Sequence, residues 1–148
     1  MESLLKNAKI TRILVDTVAG QAATASDILD MSGFQSVMFI AKLGDVTNGS
    51  VVTLACQQNT INSASGMATL TGTATYTSAS TTDADDNLLV LDVVKPNERY
   101  VRAVFTSATQ DAVKNGVIAI QYNPIHAPVT QSATVLDSEL ISRVVEAA

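Results

Sequence analysis

The sequence predicts an all-β protein: an antiparallel β-sandwich, jelly-roll-like, with an extended N-terminal arm and a short C-terminal helix. Three observations predict it. Runs rich in Val, Ile, Leu and Thr recur with turn signals roughly every 8 to 12 residues, the spacing of a sandwich of short strands. The pairs Asn48-Gly49 and Asn115-Gly116 place residues that tolerate positive φ between such runs. The chain is 47% hydrophobic but only 4% aromatic, with no Trp, which suits thin layers filled by small and branched side chains.

Each element has its own reason. Residues 1–8 read as an arm and residues 9–18, KITRILVDTV, as a first strand because they are β-branched. Residues 27–31 read as a short edge strand closed by Ser32-Gly33. Residues 35–43, QSVMFIAKL, form a near-continuous apolar run, the mark of a strand covered on both faces. After Asn48-Gly49, residues 50–57, SVVTLACQ, are expected to return beside that run as a hairpin partner. Thr69 to Thr77 alternates with period 2 and reads as one strand. Residues 88–94, LLVLDVV, read as a buried strand, and residues 99–106 as a strand covered on one face. Residues 112–122 read as a strand with a bulge or turn at Asn115-Gly116, ended by Pro124.

Residues 126–148 change character. After a Pro-punctuated connection, Asp137 is a good helix N-cap, and Leu136 could staple against Ile141. Leu140, Ile141, Val144 and Val145 then share one helical face, with two docking places open to it: the chain's own sandwich or a neighbouring subunit. The 148 residues therefore divide into an arm (1–8), one sandwich domain (9–125) and a C-terminal arm with helix (126–148). No self-similarity at solenoid periods is present.

The charge balance excludes some partners. Nine basic residues are scattered against fourteen acidic ones, net −5, which suits neither nucleic acid nor an anionic membrane, both of which require clustered Lys and Arg. No run approaches the roughly 20 apolar residues of a membrane span. The start, MESLLKNAKITRILV, lacks a secretory leader pattern, and a lone Cys56 fits a reducing compartment, so the chain reads as a soluble product of the cytoplasm.

Catalytic and metal chemistry find no motif. His126 is the single histidine, in a loop without a GxSxG partner, and reads as solvent-facing. Cys56 reads as a small core residue. In "DADDN", Asp83, Asp85 and Asn87 hold the first, third and fifth positions of a calcium loop. Leu88 stands where its Gly should be and Val94 where its bidentate Glu should be, so a solvated acidic turn is the better reading. Nucleotide-cradle motifs are missing. Arg99 and Arg102 read as ion-pair residues on opposite faces of one strand. The expectation is a non-enzyme without catalytic residue, cofactor or metal.

The threonines at 69, 71, 73, 75 and 77 remain. Their row is either a solvated strand face, as high β-propensity alone would give, or a contact surface backed by small side chains that permit close approach. Ice binding would need several stacked rows of this kind.

Three stretches, GFQSVMFIAKLGDVTNGSVVTLACQQ (33–58), DNLLVLDVVKPNERYVRAVF (86–105) and KNGVIAIQYNP (114–124), together resemble virion structural proteins of tailed bacteriophages, most closely the capsid decoration, or cement, proteins. The resemblance spans residues 30–125, leaving out 59–85 and the tail. It implies a β-sandwich that binds the exterior of an icosahedral shell and bridges subunits of the major capsid protein. It also implies a homo-oligomer, a trimer being favoured, assembled in the host bacterial cytoplasm. The contact residues expected are Leu4 and Leu5 in the arm, Thr69, Thr71, Thr73, Thr75 and Thr77, and Leu140, Ile141, Val144 and Val145. Two alternatives stay open: a head–tail connector or minor tail component, and a glycan- or host-surface-binding module, for which six aromatic residues offer few stacking platforms.

Overall fold

The computed structural model describes residues 3–141. A helical turn, α1 (Leu4–Asn7), leads into β1 (Ala8–Leu14), β2 (Thr17–Gly20), β3 (Ala23–Ala25), β4 (Leu29–Asp30) and β5 (Phe34–Val46). Then come β6 (Val51–Asn59), β7 (Ala68–Thr69), β8 (Ala74–Thr77), β9 (Leu88–Val94), β10 (Tyr100–Ala108) and β11 (Ala112–Pro124). They form two antiparallel sheets. The front sheet has the order β1-β11-β5-β9, with β2 also on β11; the back sheet has the order β3-β10-β6-β7, with β4 on β10 and β8 on β6. The protein is a β-sandwich.

Alternation makes the core. Val37, Phe39, Ala41 and Leu43 of β5 and Val117 and Ala119 of β11 point inward from the front sheet. Val52, Leu54 and Cys56 of β6 meet them from the back sheet, with Val101, Ala103 and Phe105 of β10. Phe39 and Phe105, both 0% exposed, are the largest of these side chains. Burying each contributes about 1.5–3 kcal/mol relative to leaving it in water.

The expected hairpin of 35–57 is not one. β5 lies between β11 and β9 in the front sheet, whereas β6 lies in the back sheet beside β10. Asn48-Gly49 does turn the chain, with Gly49 at φ 87 and Ser50 N donating to Thr47 O at 2.9 Å. The turn carries the chain across the sandwich, however. Both runs have an apolar inner row, and stacking them face to face buries both rows against each other.

Other expectations are also corrected. The first strand is two, β1 and β2, broken at Val15-Asp16. The arm before it is not extended: Ser3 Oγ accepts from Lys6 N at 3.4 Å and caps α1. The run 88–94 is buried on one side only, with Leu88, Val90 and Val94 exposed. Asn115-Gly116 is a bulge, where the register between β11 and β5 shifts and Gly116 takes φ 90. In the C-terminal arm, residues 135–141 are irregular. Asp137 Oδ1 accepts from its immediate neighbour, Ser138 N, at 2.8 Å, so it caps no helical turn within 137–141. Leu136 is 98% exposed and staples nothing. The rest of the expected helix, with Val144 and Val145, lies outside the described residues.

The arm preceding that stretch has a definite seat. Gln131 Oε1 accepts from Ile10 N at 2.8 Å, its Nε2 donates to Leu5 O at 2.8 Å and Ala8 O at 2.7 Å, and Thr134 Oγ1 accepts from Arg12 N at 2.9 Å. These bonds occupy the outer edge of β1, the kind of open edge that otherwise invites foreign strands.

Candidate interaction surface

The outer face of the front sheet is apolar. Because Val37, Phe39 and Ala41 point inward, Met38 and Ile40 point outward. Across the strands, Ile40 faces Ile118 on one side and Val90 on the other, and Ile118 faces Arg12. In the next row Met38 faces Ile120 and Asp92, and Ile120 faces Ile10. Lys42 and Leu88 form a third pair at one end. Ile118 is 44% exposed, Val90 48% and Leu88 55%, and the other apolar members are half-buried. Two grooves cross the face. One, of about 380 Å³, lies under α1 and is lined by Leu4, Met38, Asp92, Ile120 and Tyr122. The other, of about 260 Å³, lies between Arg12, Ile40, Lys42, Leu88 and Ile118. The Tyr122 hydroxyl donates to Asp92 Oδ1 at 2.6 Å, and burial together with that carboxylate pushes the phenol above its ordinary pKa.

The outer face of the back sheet mixes hydroxyl and amide side chains with a small apolar row, Val104 between Ala25 and Ala55. Thr106 faces Thr53, Thr53 faces Thr75, and Arg102 faces Gln57, which faces Thr69. Thr75 Oγ1 donates to Thr53 Oγ1 at 3.3 Å, and Arg102 Nε donates to Gln57 Oε1 at 2.8 Å.

The expected row of five threonines along one strand is therefore broken. Thr69 belongs to β7 and Thr75 and Thr77 to β8, while Thr71 and Thr73 lie in the connection between them. Gly72, at φ 108, breaks the alternation. Thr71 and Thr73 line an opening of about 400 Å³ between the sheets, with Leu70, Leu91, Val93 and the buried Cys56 behind them. What remains of the hydroxyl row is a short run from Thr73 to Thr75 at 3.1 Å, which then crosses to Thr53 of the neighbouring strand at 3.3 Å. Of the other expected contacts, Leu4 is exposed on the rim of the α1 groove, Leu5 is half-buried, and Leu140 and Ile141 are exposed in the irregular tail.

The acidic turn is an internal staple. The Asp83 carboxylate accepts from Tyr76 OH and Ser78 Oγ at 2.7 Å, Ala79 N at 2.8 Å and Ser80 N at 3.3 Å. These donors, the Ala79 N–H first, hold it well below the usual carboxylate range. Asp85 accepts from Val46 N at 2.8 Å and Asp86 pairs with Lys42 at 3.4 Å, so the three carboxylates serve three separate contacts. Among the described residues no three His, Cys, Asp or Glu side chains converge on one point. Burial pushes the Cys56 thiol up to about 12, and His126 is exposed in its loop. Arg99 forms a bidentate pair with Asp30, both bonds at 2.9 Å, and lies over the Tyr100 ring at 5.2 Å. Arg102 is on a glutamine, not in an ion pair within its own sheet.

The residues of the front face are missing from the contacts expected from sequence. The signal for them is that both parities of 37–41 and of 117–120 are apolar, the mark of a strand that asks for cover on both faces.

No protein-family model matches the chain, and no curated protein matches it. Among solved structures it is similar to that of the Eiger TNF from S. frugiperda, at 8% identity and a TM-score of 0.36, over 87% of this chain and 100% of that one. Among the described residues no helix is long and apolar enough to cross a membrane.

Proposed function

We propose that this chain is a non-enzymatic structural protein of a tailed-bacteriophage particle: a capsid decoration, or cement, protein. In this role it is made in the bacterial cytoplasm, binds the exterior of the icosahedral shell as a homo-oligomer, with a trimer favoured, and stabilises the shell by bridging major capsid protein subunits. The observation that carries the reading is the pairing of a two-sheet sandwich with one broad apolar sheet face, a surface suited to protein contacts rather than to a small substrate. The resemblance of residues 33–58, 86–105 and 114–124 to decoration proteins supplies the setting. Bridging many shell subunits through repeated modest contacts makes the attachment strong by multivalency.

The test is the copy number of this chain per purified particle, measured by quantitative mass spectrometry against the major shell protein. A large fraction of the shell count is expected. A handful of copies would move the protein to the head–tail connector or the tail, and absence from particles would overturn the structural role.

A further inference from the structure

We propose that the outer face of the front sheet is closed by further copies of this chain, arranged about a rotation axis parallel to its strands, with Arg12 of each copy against Asp92 of the next. The proposal rests on the homo-oligomeric part of the function above, not on the capsid.

Two observations carry it. First, residues 37–41 of β5 and 117–120 of β11 are apolar on both parities, the pattern of strands covered on both faces, yet the described residues cover one. Met38, Ile40, Ile118 and Ile120 form a continuous two-by-two block in the middle of the sheet, flanked by Ile10, Val90 and Leu88. The back sheet's outer face has no such block of large apolar side chains: its apolar row is Ala25, Val104 and Ala55, set among Thr53, Thr75, Thr106, Gln57 and Arg102.

Second, the block carries both halves of an ion pair on opposite flanks. Arg12 is on β1 and Asp92 on β9, three strand spacings across the sheet and one row along it, about 16 Å apart and too far to meet within one copy. A rotation parallel to the strands leaves each row at its own height and brings the β9 flank of one copy beside the β1 flank of the next. Arg12, level with Ile118, Ile40 and Val90, then lies within one row of the next copy's Asp92, a step of about 7 Å that an arginine side chain spans. A face that holds its own complement fits a second copy better than an unrelated protein.

The test uses the full chain without capsid. Sedimentation equilibrium at about 100 µM should give an integer multiple of the single-chain mass, the multiple setting the rotational order. Ile118→Asp should give the single-chain mass with an unchanged far-ultraviolet spectrum. Arg12→Asp, on an exposed side chain, and Asp92→Arg, which also removes the acceptor of the Tyr122 hydroxyl and so is checked for an unchanged far-ultraviolet spectrum, should each weaken association about 10-fold. The two together should restore it to within about 3-fold of the natural chain. A natural chain that stays single, an Ile118→Asp variant that keeps the assembled mass, or a double swap no better than the single swaps would overturn the proposal. If the swap fails while the chain still binds expanded shells, the capsid function stands and this contact falls. If self-association holds and particles lack the chain, the reverse is true.

Discussion

Lys114 occupies an inward position of β11 and is 2% exposed, a place where alternation calls for an apolar side chain. Its Nζ donates to Ala22 O at 2.8 Å and reaches Ser107 Oγ at 3.4 Å, tying the front sheet to the start of the back sheet. No carboxylate shares these contacts, and burial lowers its pKa below the ordinary 10.5. The sign of the consequence is fixed. Below the lowered value the lysine is charged in both folded and unfolded chains, and the burial penalty is present in full. As the pH rises from that value toward 10.5, the folded chain sheds the proton first, so folding is increasingly favoured. Tyr76 and Tyr122 act in the opposite direction, since their raised pKa values withdraw stability above pH 10. Urea midpoints should therefore rise as the pH climbs toward about 10 in the natural chain and stay flat in Lys114→Met over the same range. Parallel curves would mean that the lysine keeps its ordinary pKa.

At the scale of elements, the strands were legible and their partners were not. Period-2 alternation placed β10 to within two residues at either end, because it depends only on which side chains avoid water, and the apolar run before Pro124 placed β11. The same signal says nothing about which sheet a strand joins, so a turn at Asn48-Gly49 that crosses the sandwich looked like the tip of a hairpin. The threonine alternation ran on through Gly72, where the backbone leaves the sheet at φ 108. The expected C-terminal helix failed over 137–141 because its capping aspartate satisfies its own neighbour instead of a helical turn. The bulge at Asn115-Gly116 was readable from its residue pair, and its physical basis can be tested. Gly116 and Gly33 have nearly equal φ, 90 and 88, so an alanine pays a similar backbone penalty at either. They differ in space: a Cβ at Gly116 would lie 2.6 Å from Leu14 O, whereas one at Gly33 meets nothing within 4 Å. Gly116→Ala should cost about 3 kcal/mol and Gly33→Ala about 1 kcal/mol in urea unfolding. Equal losses would show that φ alone decides.

At the scale of the molecule, the two outer faces differ in side-chain size and polarity. The back face mixes hydroxyl and amide side chains with the small apolar row of Ala25, Val104 and Ala55; the front face keeps seven large apolar side chains wholly or partly in water. Each of those would contribute up to about 1.5–3 kcal/mol if it moved from full exposure to full burial, and most are already half covered, so closing the face adds several kcal/mol per copy. Stability and association are then one equilibrium: copies that bind only when folded hold the fold by mass action. The melting temperature of the natural chain should rise with protein concentration, by roughly 2–4 °C for each tenfold increase in a domain of this size. Ile118→Asp, which closes no interface, should melt at one temperature across the same range and below the natural chain at its highest concentration. Scanning calorimetry from about 5 to 500 µM resolves the two behaviours. A concentration-independent midpoint in both chains would mean that the front face stays open to water and that the monomer is the folding unit.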